Sequence, residues 1–377
     1  MNDAGFVPPP YPYDRLAPLI ERAAAHDGGA IDLSIGTPCD PPSAAVVAAL
    51  GGSDTERGYP PSIGTAVFRG AVSDWFARRF DVEVDAAHVA ACIGSKELVA
   101  GLPHWLRLRD PSRDTVLYPE VSYPSYAMGA QLAGCRAVPV PVDAQWALDL
   151  AAIDPADAAR ALCLWSNTPA NPTGGLDDLD AVAAWGRSHG VPVFSDECYA
   201  EFTWQGPAAT VGQAPGATIL SSGSEGVVAV HSLSKRSNLA GLRVGFYAGD
   251  PELVSYLSEV RKHAGFMVPG PAQAAAVVAL GDQGEVDLQR QRYLDRLAAM
   301  AKVLDGLGLD APMPGGGFYL WVPAPGGDAW ALAERLAVEL GVVVSPGEFY
   351  GPAHPGHVRI AVVQSDDRID EIIHRAV

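Results

Sequence analysis

Only four lysines occur in this 377-residue chain, and one of them, Lys235, lies in HSLSKRSNLAGLRVGF (231–246). Ser232 and Ser234 precede it, and Arg243 follows eight residues later. A lysine that attacks a carbonyl must be neutral, so it needs surroundings that lower its pKa. The two hydroxyls and the guanidinium are donors suited to a dianionic phosphate. Taken alone, the S-x-S-K run reads equally well as a polar loop with incidental charges. A second stretch, VPVFSDECYAEF (191–202), ends an apolar run in Asp196, with Tyr199 three residues on. In open α/β sheets functional side chains gather outside the carboxyl ends of strands. A carboxylate there can pair with a protonated ring nitrogen. At about 4 Å and an effective dielectric of about 20 the attraction is about 4 kcal/mol, near three pK units. By itself, Asp196 is more simply read as the cap of a following helix. The third stretch, WSNTPANPTGG (165–175), runs from an apolar segment into a turn stiffened by Pro and Gly. Such a turn can aim an Asn amide, here Asn167 or Asn171, at a ring hydroxyl.

These residues need a scaffold, and the sequence predicts one. Short apolar runs rich in β-branched residues recur at 115–118, 137–142, 161–165, 191–194, 227–230 and 244–247. Helical patterns lie between several of them. One covers 177–189, with Leu179, Val182 and Trp185 on one face and Gly190 as its C-terminal stop. Strands alternating with helices predict an α/β fold with a mostly parallel sheet covered on both faces. From about 280 the pattern changes to a long charged helix (285–307), GGGFYLWV, a helix (328–340), a strand (357–363) and a final helix, which reads as a smaller α+β domain. The predicted division is an N-terminal arm plus part of the small domain (1–39), a large domain (40–280) and the rest of the small domain (281–377). Pro-rich residues 7–13 read as an extended arm of the kind that often crosses to a partner subunit.

Composition narrows the function. A hydrophobic content of 48% with 19% charged residues is that of a soluble globular protein. The net charge of −18 argues against non-specific binding to nucleic acid or an anionic membrane. The start, MNDAGFVPPPYPYDR, lacks the basic and apolar regions of a signal peptide. The most apolar window, 264–280, is interrupted by Pro269, Pro271 and Gln273 and predicts no membrane span. Five scattered cysteines without a CxxC pair fit a reduced, cytoplasmic protein. His354-Pro-Gly-His357 reads as a loop, and no metal site is expected.

Read together, the three stretches resemble the fold-type I, class I/II aminotransferases, which use pyridoxal 5'-phosphate (PLP). In that family a strand–NPxG turn, a strand–D-x-x-Y and S-x-S-K-x₇-R follow one another in this order. The resemblance implies that Lys235 binds the cofactor covalently and later moves a proton between the substrate Cα and the cofactor. It implies that Asp196 pairs with the pyridine nitrogen, that Asn171 and Tyr199 bond the phenolic oxygen, and that Ser232, Ser234 and Arg243 hold the phosphate. IGSKELVAGL (93–102) is similar to the family's glycine turn into a helix, so the amides of Ser95 and Lys96 would add phosphate donors. VSYPSY is similar to the stretch whose aromatic stacks on the ring, which makes Tyr123 the candidate; a core aromatic is the alternative. Arg359, in HVRIAVV, and Gly36, in SIGTP, match the groups that face the substrate α-carboxylate, for which a planar guanidinium is suited. Tyr59 matches the tyrosine that reaches the phosphate of the neighbouring subunit, which implies a homodimer with shared sites. The family's common LR pair reads Phe68-Arg69 here, expected to be a packing variant.

The implied reaction is a ping-pong exchange between amino acids and 2-oxo acids. The same scaffold serves carbon–sulfur lyases and the effector modules of some transcription regulators. The latter carry a DNA-binding domain ahead of it, where here only about 30 residues precede the first core motif. Within the aminotransferases, HSLSKRSNLAGLR, RKHAGFMVPGPAQAA, DECYAEFTW and SPGEFYGPAHPGHVRIA together resemble the actinobacterial N-succinyldiaminopimelate aminotransferases of lysine and diaminopimelate synthesis. An aspartate- or aromatic-type activity is the alternative. A succinylated acceptor carries three carboxylates, so cationic groups are expected near its distal end. Lys96 is one candidate and the Arg261-Lys262-His263 cluster another, unless the latter is simply a solvated helix face.

Overall fold

A computed structural model describes residues 6–204 and 217–376. Its strands, in chain order, are β1 (Ile31–Asp32), β2 (Val89–Cys92), β3 (Thr115–Pro119), β4 (Arg136–Val140), β5 (Ala161–Asn167) and β6 (Val193–Asp196). They continue with β7 (Val227–Ser232), β8 (Gly245–Gly249), β9 (Tyr319–Pro323), β10 (Val342–Val343), β11 (Ser345–Pro346) and β12 (His357–Ala361). A seven-stranded sheet runs β2-β8-β7-β6-β5-β3-β4, with β8 alone antiparallel to its neighbours. Every residue of β5, β6 and β7 is buried, as expected of parallel strands covered on both faces. Alternation divides β7 cleanly. Val227 and Ala229 join one apolar layer, Val228 and Val230 the other.

Local chemistry accounts for the boundaries. Pro139 is tolerated within β4 because β4 is an edge strand, where one face of the backbone needs no partner. The helix Leu179–His189 begins at Asp178, whose carboxylate accepts the Ala181 amide at 3.0 Å, and stops at Gly190 with φ of 60°. Helices Gln283–Gly306 and Ala329–Leu340 are capped in the same way by Asp282 and Asp328. The 68–69 departure is a packing feature: Phe68 is fully buried against Phe246, and Arg69 donates to the Ala86 carbonyl at 2.6 Å.

The second sheet, β11-β12-β9, is antiparallel and lies in an apolar cluster with helices Gln283–Gly306, Ala329–Leu340 and Asp366–Arg375. The N-terminal segment joins this unit, since β1 pairs in parallel with β10. The arm lies on its own chain: the Tyr13 and Tyr350 hydroxyls are 2.9 Å apart, and Arg15 pairs with Glu348 at 2.7 Å. Among the described residues no helix is long and apolar enough to cross a membrane.

Candidate active site

The carboxyl ends of β5, β6 and β7 lie side by side, with Asn167 in register with Asp196. Above them opens a cavity of about 290 Å³. It is lined by twelve of the thirteen residues to which the resemblance assigns a role: Gly36, Ser95, Lys96, Tyr123, Asn171, Asp196, Tyr199, Ser232, Ser234, Lys235, Arg243 and Arg359. Tyr59 is not among them. It is 97% exposed.

Lys235 sits in a short helix, Leu233–Arg236, that begins where β7 ends. Its ammonium donates to the Gly36 carbonyl and lies 5.7 Å from the Phe318 ring. Burial at the cavity floor, then the charges of Arg359 and Arg243, lower its pKa from 10.5 to about 8. About a tenth of the amine is therefore neutral at pH 7, far more than for an ordinary lysine.

Three sets of donors converge beside it. Ser232 donates to the Ser234 hydroxyl at 3.0 Å. The helix Ser95–Arg109 starts at Gly94, which offers no side-chain cap, so its first amides are open to an anion. Arg243, exposed and held by the Ala240 carbonyl at 2.9 Å, places its guanidinium against Gly94. Gly94 has φ of 72°, a left-handed conformation that strains any residue with a β-carbon, so the turn into the cradle favours glycine. Among the described residues no carboxylate pairs with Arg243. The donor set fits a phosphate.

Asp196 is buried, and burial raises its pKa. Tyr126 donates to Oδ2 at 2.8 Å, and the Cys198 amide donates to Oδ1 at 3.3 Å. No arginine or lysine pairs with it among the described residues. A buried carboxylate without a cationic partner is costly unless a cation is supplied, and a pyridinium fits. The helix-cap reading of Asp196 does not hold, because the turn Ala200–Phe202 that follows has no side-chain cap.

Arg359, on β12, is 2% exposed. It donates to Asn171 Oδ1 at 2.8 Å and to the Ser34 carbonyl, and its Nε has no partner. Since a guanidinium only donates, Asn171 turns its oxygen to Arg359 and keeps its NH₂ free. Asn167 anchors this turn from below, accepting the Asn171 amide at 2.9 Å and donating to the Asp196 carbonyl at 3.0 Å.

Lys96 reaches the rim, donating to the Tyr123 hydroxyl at 3.2 Å. The other cationic cluster does not. Arg261 is 1% exposed and paired through Nη2 with Glu97 at 2.8 Å, which fixes the helix Pro251–His263 to Ser95–Arg109. Lys262 is an exposed partner of Glu259 at 3.4 Å. Arg261 therefore belongs to neither alternative considered for it: it is buried for structure. Sequence reasoning also passed over Tyr11, Tyr13, Tyr126, Cys198 and Tyr319, all of which line the cavity. Tyr126 carried a faint signal, lying three residues after Tyr123. The others carried none.

A lowered lysine, a phosphate cradle and a lone buried carboxylate at the rim of a doubly covered sheet meet the needs of a phosphorylated pyridine aldehyde. The architecture is that of PLP-dependent fold type I. The family model for aminotransferase class I and II matches residues 29–375, and the chain belongs to that family, whose cofactor is PLP. It is 39% identical over 365 residues, covering 96% of this chain and 97% of the other, to the 4-dedimethylamino-4-oxo-anhydrotetracycline transaminase OxyQ of Streptomyces rimosus. It is 35% identical over 378 residues to the LL-diaminopimelate aminotransferase of Desulforudis audaxviator, covering 97% and 94% of the two chains. Among solved structures, a probable N-succinyldiaminopimelate aminotransferase from Thermus thermophilus superposes with a TM-score of 0.84 at 31% identity, covering 97% and 98%. The protein is an aminotransferase.

Proposed function

We propose that this aminotransferase moves the amino group of glutamate to N-succinyl-2-amino-6-oxopimelate, the reversible succinyldiaminopimelate step of lysine and diaminopimelate synthesis. One observation carries the reading. In a chain of net charge −18, the cavity is lined by four cationic side chains, Lys96, Lys235, Arg243 and Arg359, and one carboxylate, Asp196. With Arg243 on the phosphate and Arg359 on the α-carboxylate, Lys96 remains at the rim for a further anionic group. The diaminopimelate skeleton named in two of the relatives supports the same class of acceptor.

In this reading PLP supplies the electron sink, and the chain binds, orients and moves protons. Ser232, Ser234, Arg243 and the amides of Ser95 and Lys96 hold the phosphate. Asp196 would pair with the ring nitrogen, the Asn171 amide and the Tyr199 hydroxyl would bond the phenolic oxygen, and Tyr123 would stack on the ring. Arg359 and the Gly36 amide would fix the α-carboxylate, which would leave the Lys235 amine to move the Cα proton. Tyr59 is the residue offered to a second copy in a homodimer, since nothing among the described residues covers it.

Kinetics with glutamate as donor test the acceptor. The succinylated oxo acid is expected to exceed oxaloacetate by at least ~100-fold in kcat/KM, about 2.7 kcal/mol of discrimination. A preference for an aromatic oxo acid would instead favour the second reading, an aromatic-type enzyme, which the ring-rich rim of Tyr11, Tyr13 and Tyr123 supports.

A further inference from the structure

Tyr319 opens β9, within the GGGFYLWV stretch that sequence reasoning left without a role. It is 1% exposed and touches three parts of the site at once. Its hydroxyl lies 2.8 Å from the Tyr199 hydroxyl. Its ring lies under the Arg359 guanidinium, 4.4 Å from ring centroid to Cζ. Its hydroxyl edge also fills the space that a β-carbon at Gly36 would need, and the Gly36 carbonyl is the acceptor for Lys235. Among the described residues Tyr199 has no other side-chain partner for its oxygen.

We propose that Tyr319 is a positioning residue with two separable tasks: its hydroxyl orients the Tyr199 proton toward the cofactor's phenolic oxygen, and its ring seats Arg359 for the substrate carboxylate. The first task follows from donor bookkeeping. If Tyr319 donates to the Tyr199 oxygen, Tyr199 has its own proton free, and a hydroxyl that accepts one bond donates more strongly in the next. The second follows from the guanidinium's surroundings. Arg359 is buried with no carboxylate partner among the described residues, and the aromatic faces of Tyr319 and Tyr350, at 4.4 and 4.8 Å, stabilise its charge and hold its plane. Both tasks concern the aminotransferase site as such and are independent of which acceptor is used.

Two substitutions separate them. Tyr319→Phe keeps the ring and removes the hydroxyl. In the holoenzyme, the pH midpoint of the bound cofactor's absorbance change is expected to rise, because a weaker Tyr199 donor favours the protonated phenolic oxygen. The expected rise is about half a pH unit, roughly threefold in the protonation equilibrium. KM for the fastest-reacting amino donor should stay within about twofold, a difference near the limit of kinetic resolution. Tyr319→Leu removes the ring as well, and should raise that KM about tenfold over Tyr319→Phe at similar kcat. An unmoved midpoint in Tyr319→Phe overturns the first task. Equal KM values in the two variants, or a KM already raised by Phe, overturn the second. If the Leu variant does not fold, Tyr319→Met takes its place with the same expected rise in KM, and a KM equal to that of Tyr319→Phe overturns the second task.

Discussion

Removing the charge on Lys235 should stabilise the cofactor-free protein, against the usual expectation for losing an active-site residue. Burial, then the neighbouring Arg359 and Arg243, lower the pKa of this lysine from 10.5 to about 8. The folded state therefore releases a proton that the unfolded chain retains until about pH 10.5. Between those limits the unfolded state binds more protons, so stability from this group rises with pH. At pH 7 the amine is mostly charged in both states, and the folded state carries the full penalty. The gap from 10.5 to about 8, at 1.36 kcal/mol per pH unit, is on the order of 3 kcal/mol. Lys235→Met should remove it. In urea denaturation of cofactor-free protein, the variant should exceed wild type by up to ~3 kcal/mol at pH 7, and the difference should shrink as pH rises from 8 to 10.5. The same shift makes the amine about 300-fold richer in its neutral form at pH 7 than an ordinary lysine, so the rate of PLP capture should level off above pH 8. A difference between variant and wild type that stays constant from pH 7 to 10.5 would refute the reasoning, as would a capture rate still climbing tenfold per pH unit at pH 9.

Borohydride treatment of the holoenzyme should fix PLP to the Lys235 peptide alone; label on the peptides of Lys96, Lys262 or Lys302 would overturn the assignment. Asp196→Asn should leave the fold intact and lower kcat at least tenfold, about 1.4 kcal/mol of barrier, and a smaller loss would mean that this carboxylate does little for the cofactor ring. Lys96→Ala should reduce kcat/KM for the succinylated acceptor by about tenfold while changing oxaloacetate less than threefold; equal losses would remove Lys96 from distal recognition. Asp177 accepts from Ser166 at 2.6 Å below the Asn171 turn, and burial raises its carboxyl from 3.8 to about 6. Its contribution to stability is present below pH 3.8 and lost as pH rises through 6, by up to ~3 kcal/mol. Asp177→Asn should abolish that pH dependence in urea midpoints measured from pH 4 to 7, and parallel curves for variant and wild type would refute it.

The sheet was legible because its strands are signalled twice, by apolar β-branched runs and by the turn residues that end them. All six predicted runs overlap strands, whereas Val89–Cys92 was overlooked: VAAC is short and two of its four residues are alanine, too little to stand out from a helix. Run edges shifted by one or two residues where proline intervened. Pro192 lacks an amide to donate, so β6 starts at Val193 although the Pro192 carbonyl still accepts the Leu164 amide at 3.0 Å. Residues clustered within one motif were visible for the same reason, since Ser232, Ser234, Lys235 and Arg243 declare their chemistry in sixteen positions. What stayed hidden came from distance along the chain. Tyr11 meets Tyr123 across 112 residues and Tyr199 meets Tyr319 across 120, and an aromatic in an apolar strand looks identical whether its hydroxyl ends in the core or in the site. Arg261 misled in the opposite direction. Its neighbours Lys262 and His263 suggested a charged surface, but Glu97, 164 residues away, supplies the counter-charge that lets an arginine be buried. Burial of a charge depends on its partner, and the partner is a property of the fold; the basic cluster at 261–263 therefore could not be divided into one structural and two solvent-facing residues until helices Ser95–Arg109 and Pro251–His263 were brought together.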